Sequence, residues 1–224
     1  MTASRCKSLC LAALALFLSA FAFGQDLLSI EIWCEVQPES FAPDADNSPN
    51  EAAAYRQLFE EARLIFSGMI YGYSFTYVPL DKTRRVPELL DIKPIAEIPA
   101  GDKNLRYVSG DIADNRLYGR FTYTLAGFQS ARLESWRTIA VPAEIGRGEG
   151  KVYAGAEGKK ASREQAIKEA LRNYLRPRVF NKPREIRGEA VFLESPIMSL
   201  QAGTYRSTVK VKINVKEIVP YSVY

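Results

Sequence analysis

Histidine is absent from this 224-residue sequence, and cysteine occurs three times. Without imidazole there is no Ser-His-Asp or Cys-His nucleophile, no histidine zinc site and no imidazole general base. Cys6 and Cys10 lie in an apolar N-terminal segment, so Cys34 is the one cysteine beyond it. A single thiol forms neither an intramolecular disulfide nor a thiolate zinc site. Long apolar runs are scarce as well. Leu9 to Phe23, interrupted by Ser19, is shorter than the ~20 residues a spanning helix needs, and no later segment reaches about 18. A strong excess of one charge is also lacking, with 30 basic residues against 26 acidic and a net charge of +4. Nothing in that balance argues for nucleic acid as a partner. Carboxylate, lysine and serine chemistry is what remains, and no cofactor is expected.

The first 24 residues read as a cleaved signal peptide. Arg5 and Lys7 precede the apolar run, and Ala22-Phe23-Gly24 places small residues where signal peptidase reads them. The mature chain is expected to start at Gln25, to carry a net charge of +2 once those two basic residues are gone, and to have no transmembrane segment. Its expected location is periplasmic or extracellular.

Two capping boxes announce helices. Ser48-Pro49-Asn50-Glu51 precedes a helical stripe of Tyr55, Leu58, Phe59, Ala62, Ile65, Phe66 and Met69. Ser162-Arg163-Glu164-Gln165 precedes Ala166, Ile167, Ala170, Leu171, Tyr174 and Leu175, and Pro177 ends that helix. Strict alternation marks strands at Tyr205 to Lys216 and at Leu117 to Leu125, and it places Cys34 on the apolar face of a strand over 28–36. The fold class expected is α+β, in two related β-α-β-β units whose antiparallel sheets are each covered by one amphipathic helix. The units span 25–145 and 146–224, jointed at Gly146 to Gly150, with a loop at 37–47.

No catalytic motif has workable geometry. Ser207-Thr208-Val209-Lys210 spells Ser-x-x-Lys, but on a strand its two ends face opposite ways. Asp44-Ala45-Asp46-Asn47-Ser48 opens like a calcium loop, yet Pro49 occupies the glycine position and Tyr55 the twelfth. Gly158-Lys159-Lys160 lacks the rest of a phosphate loop. Asp111 with Asp114, and Glu60 with Glu61, are the candidate acid–base pairs. Two clusters suit binding. Arg172, Arg176, Arg178, Lys182, Arg184 and Arg187, with Lys210 and Lys212 on the wet face of the last strand, suit an envelope protein or an anionic envelope polymer. Tyr71, Tyr73, Phe75 and Tyr77 form an aromatic row that can stack on sugars or grip a protein. The ordinary alternatives are a solvated charged face and core packing. The edge of strand 205–216 is a further candidate for pairing with a neighbour.

Gly148 to Ala156, the Ser162 to Leu171 helix and the Tyr205 to Val215 strand resemble the small α+β domain of the exported LPP20 lipoprotein and flagellar assembly protein T group. The resemblance covers about 70 residues and implies a non-catalytic envelope or flagellum-associated module, with no family site residues to carry over. This chain departs from that group in having no lipobox and an Arg-rich, Pro-interrupted segment before the last strand. The expectation is therefore an exported, non-enzymatic binding or scaffold protein of the bacterial cell envelope, associated with an envelope-spanning or flagellar assembly. A carboxylate-dependent enzyme or binding module acting on envelope glycans is the alternative.

Overall fold

The computed structural model describes residues 27–37, 50–179 and 182–221. The signal segment, the 37–47 loop beyond Gln37 and the Asp44–Ser48 motif lie outside the described residues. In chain order the elements are β1 (Leu27–Glu35), α1 (Glu51–Ile70), β2 (Tyr73–Val78), β3 (Leu89–Pro94), β4 (Leu105–Ala113) and β5 (Arg116–Thr124). They continue with α2 (Gly127–Arg137), β6 (Ala143–Lys151), α3 (Gly155–Leu175), β7 (Glu185–Phe192), β8 (Ile197–Gln201) and β9 (Thr204–Val219).

The fold is α+β with antiparallel sheets. A three-stranded sheet has the order β1-β5-β4, and a six-stranded sheet has the order β3-β2-β7-β9-β6 with β8 also on β9. The 145/146 boundary falls inside β6, and β2 and β3 from before it join the sheet that β6, β7 and β9 form after it. Helix α1 serves both sheets. Phe59 and Phe66 meet Phe121 and Tyr123 of β5 at ring distances of 5.0 and 5.7 Å, while Gly68 lies close against Phe192 of β7. One hydrophobic core results, running from Ile30 and Cys34 through α1 to Ala166, Leu171 and Ile213.

Both helix starts differ from the sequence expectation. Asn50, not Ser48, caps α1, its Oδ1 accepting the Ala53 N–H at 2.9 Å; asparagine is among the best N-caps. Helix α3 begins at Gly155, seven residues before Ser162, which sits buried inside it and donates to Lys159 O at 2.8 Å. The Gly146 to Gly150 stretch is correspondingly no joint. It is the middle of β6, where Gly146, Gly148 and Gly150 all face α3 at strand period. A Cβ at any of them would come inside 3.0 Å of backbone oxygens of Ala166, Ser162 or Gly158. Those residues, with Ala170, form an i, i+4 row of small side chains, so helix and strand meet backbone to backbone.

β9 is not an edge either. It pairs with β6 on one side and with β7 and β8 on the other. The free edge of β6 is covered by its own helix: Glu169 accepts the Arg147 N–H, and Asn173 Nδ2 donates to Ile145 O at 3.4 Å.

Candidate functional site

Carboxylates and carbonyls take up much of the basic cluster. Arg176 grips Glu88 with two hydrogen bonds of 2.9 and 2.6 Å, and Arg172 lies 3.5 Å from the same carboxylate. These contacts, led by the Arg176 hydrogen bond, hold the Glu88 carboxyl below its usual range. Arg178 donates to Tyr174 O and lies over the Tyr174 ring. Arg187 pairs with Glu217 at 3.2 Å and with Glu185. Lys212 is buried rather than on a wet face, because the loop after α2 crosses it and its ammonium donates to Thr138 O at 3.0 Å and Val141 O at 2.7 Å. Lys182 and Arg184 are exposed before β7, and Lys210 is half-buried on the outer face opposite Ile145.

The aromatic row also divides. Tyr71 closes the C-terminus of α1, and its hydroxyl accepts from Gln129 Nε2 at 2.8 Å. Tyr73, Phe75 and Tyr77 share the inner face of β2; Phe75 and Tyr77 are buried, and Tyr73 packs edge-on against Phe192. Burial pushes the Tyr73 and Tyr77 phenols up to about 12. Phe75 and Tyr77 are core, and Tyr73 also lines a second cleft of ≈280 Å³ beside Glu60, Arg63 and Glu97. Ser207 is buried inward while Lys210 lies on the other face of β9.

Sequence reasoning missed a polar seam where α3 meets β1 and α1. The Lys159 ammonium is buried 3.1 Å from Glu35, donates to Trp33 O at 3.0 Å, and lies 4.1 and 5.3 Å from the centres of the Trp33 and Tyr205 rings. Tyr205 OH donates to Glu35 at 2.9 Å. One turn along α3, Arg163 pairs with Glu61 of α1, both nearly buried. Ser162 and Ser207 share a 2.6 Å hydrogen bond beside them. The buried Cys34 thiol donates to Ala54 O, and desolvation above all pushes it from 9.0 up to about 12. One signal was available: Lys159 and Arg163 are charged residues i, i+4 on the same helix face as Ala166 and Ala170.

Beside the seam opens a cleft of ≈220 Å³. One wall is Glu31, Ile32 and Trp33 of β1, the other is Ser195 to Met198 at the start of β8, and Ile65 and the Glu61–Arg163 pair form the floor. Trp33 Nε1 donates to Met198 O at 3.4 Å and ties the walls together at one end. Its volume lies below the roughly 300–1,000 Å³ usual for small-molecule sites. It holds one or two side chains. Among the described residues, no group of three or more Cys, Asp or Glu is placed to hold a metal ion, and no helix is long and apolar enough to cross a membrane.

Fold and cleft together define an α+β protein with two antiparallel sheets about a shared helix and a side-chain-sized cleft between strand edges. The chain belongs to an uncharacterised family, whose model matches residues 20–221. It is similar to an uncharacterised protein of Treponema pallidum (strain Nichols), 27% identical over 203 residues, which is 90% of this chain and 84% of the relative. No solved structure matches it.

Proposed function

We propose that this is an exported, non-enzymatic binding or scaffold protein of the bacterial cell envelope, which works by holding a partner protein at the β1–β8 cleft. The observation that carries the reading is how the charged groups near the cleft are used. Lys159 is committed to Glu35 and Trp33 O, and Arg163 to Glu61, so these groups fasten the protein together. A glycan hydrolase needs two carboxyl groups about 5–9.5 Å apart, free to act on the sugar. Of the two carboxylates lining the cleft, Glu61 is held by Arg163, and Glu31 lies at the rim, 3.5 Å from Arg120. The signal-like N-terminal segment and the resemblance to exported envelope domains support the location, and an association with an envelope-spanning or flagellar assembly is part of the proposal. The test is a crosslinking pull-down of the mature protein from its own envelope fraction, alongside Ile197→Glu at the exposed lip. A defined protein partner lost in the variant is expected. Retention on purified cell-wall glycan with no protein captured, or hydrolysis of that glycan, would overturn the reading.

A further inference from the structure

We infer that the open edge of β1 takes up an extended segment of a partner protein as an added strand, one that alternates apolar and basic residues; this rests on the binding reading above and specifies its mode. The main-chain pattern is the starting point. Val36 N–H donates to Asn115 O at 3.0 Å, in register with β5, so the even-numbered residues of β1 bond to β5. The odd-numbered Ser29, Glu31 and Trp33 therefore turn their N–H and C=O groups the other way. Trp33 O is taken by Lys159, as that geometry requires. Ser29 and Glu31 are exposed, and among the described residues β1 pairs with β5 alone.

The facing wall has the matching polarity. Met198 O points away from β9, since it accepts from Trp33 Nε1. Two strand edges thus direct main-chain groups toward each other across the cleft, and Trp33 closes one end while Ser29 and Glu31 leave the other open. Unpaired edges attract strands, and proteins usually blunt them. This one blunts β6 with Glu169 and Asn173, while β3, β4 and β1 end their sheets with no outer strand among the described residues, and of these three β1 is the one that lines the cleft.

The chemistry of the cleft narrows the occupant. In strand addition the main chain supplies affinity and alternate side chains enter pockets, and ≈220 Å³ over Ile65, Ile32 and Pro196 accepts one or two apolar side chains. Ser195 Oγ, on the wall, is buried without a hydrogen-bond partner and can donate to an incoming carbonyl. At the rim Glu31 is 65% accessible, and its 3.5 Å ion pair with the exposed Arg120 of β5 is a solvent-screened one that leaves the carboxylate able to take a second cation. A second copy pairing β1 to β1 about a two-fold axis at Glu31 sets like charges opposite each other, which is destabilising, whereas Lys or Arg there is favourable. The occupant is a segment of another protein.

The experiment places a photocrosslinking amino acid at Ile197, on the opposing lip, and as a control at Ile145, on the covered β6 edge, in mature protein incubated with its own envelope fraction. Three backgrounds are compared at Ile197. Ser29→Pro removes an outward N–H that β5 does not use, Ser29→Ala keeps it, and Glu31→Arg reverses the rim charge; both positions are exposed, and circular dichroism checks that each variant folds. The expected result is an adduct from position 197 whose partner peptide, sequenced by mass spectrometry, alternates apolar and basic residues. Its yield should fall at least about fivefold in Ser29→Pro and in Glu31→Arg and be unchanged in Ser29→Ala. A partner captured from position 145, or from 197 with full yield in Ser29→Pro, would sink strand addition while leaving the scaffold reading intact. An adduct to a second copy would also sink it. No protein adduct at either position would count against both.

Discussion

Lys159 illustrates what a buried charge does in this protein. Its ammonium is 1% accessible and sits between a carboxylate, a carbonyl and two aromatic faces, so removing it strands Glu35 in a desolvated site. Lys159→Met should lower stability by about 3 kcal/mol, in the range for breaking a buried pair. Lys159→Met with Glu35→Gln should recover part of that loss in urea unfolding, since no unpaired charge is left. At alkaline pH the decisive groups are Cys34, Tyr73 and Tyr77. Each has a folded pKa near 12, above its unfolded value. Their contribution is complete below about pH 9 and is lost as pH climbs toward 12. Urea midpoints should therefore fall steeply over that interval, and Cys34 should resist thiol reagents at pH 8 until the protein unfolds. On the acid side Glu88, held low by Arg176, adds stability that is intact above its ordinary pKa of 4.5 and lost as pH falls further. Arg176→Ala should weaken that acid dependence.

At the scale of elements, the contact between β6 and α3 is the most demanding. Gly148→Ala drives a methyl group into the Ser162 carbonyl, and because backbone cannot swing aside the cost should exceed the ~1–3 kcal/mol usual for overpacking. A melting temperature within a few degrees of wild type would contradict the backbone contact. Glu169→Ala with Asn173→Ala should bare the β6 edge and produce concentration-dependent association by light scattering, with little change in helix content. Strand alternation made β9, β5 and β1 legible, and helical stripes made the bodies of α1 and α3 legible. The helix starts were not. Ser162 and Glu164–Gln165 have the composition of a capping box, but Ser162 faces Ser207 in the core, and a buried serine and a capping serine look the same in one sequence. Glycines spaced by two likewise signal a linker as readily as a strand pressed against a helix. Helix α2 was invisible because it lacks a broad apolar stripe: only Trp136 and Gln129 of its 11 residues are buried.

For the whole molecule, local patterns carry no information about which strands share a sheet. A β-α-β-β outline was expected in each half, but β2 binding β7 at Phe75↔Gly188 joins residues more than a hundred apart. The grouping of the candidate site residues was likewise a matter of chain order. Clustering along the chain brought Arg172 to Arg187 together on paper, and folding distributed them to Glu88, Tyr174 and Glu217. The seam of Lys159, Glu35 and Tyr205 draws on three distant segments. Deleting residues 204–221 should leave no folded fragment, with random-coil circular dichroism, because every other strand of the C-terminal half pairs with β9.

That placement also sets a timetable. The strand that joins β6, β7 and β8 in the larger sheet follows all of them in the chain, so β6 and β8 have no strand partner, and β7 has only β2, until β9 is available. Contacts of such high sequence separation are slow to form. The β1-β5-β4 sheet and the β3-β2-β7 pairing can form before β9 arrives, whereas β6 and β8 are fixed only when β9 threads between them, which makes closure of the larger sheet the late event.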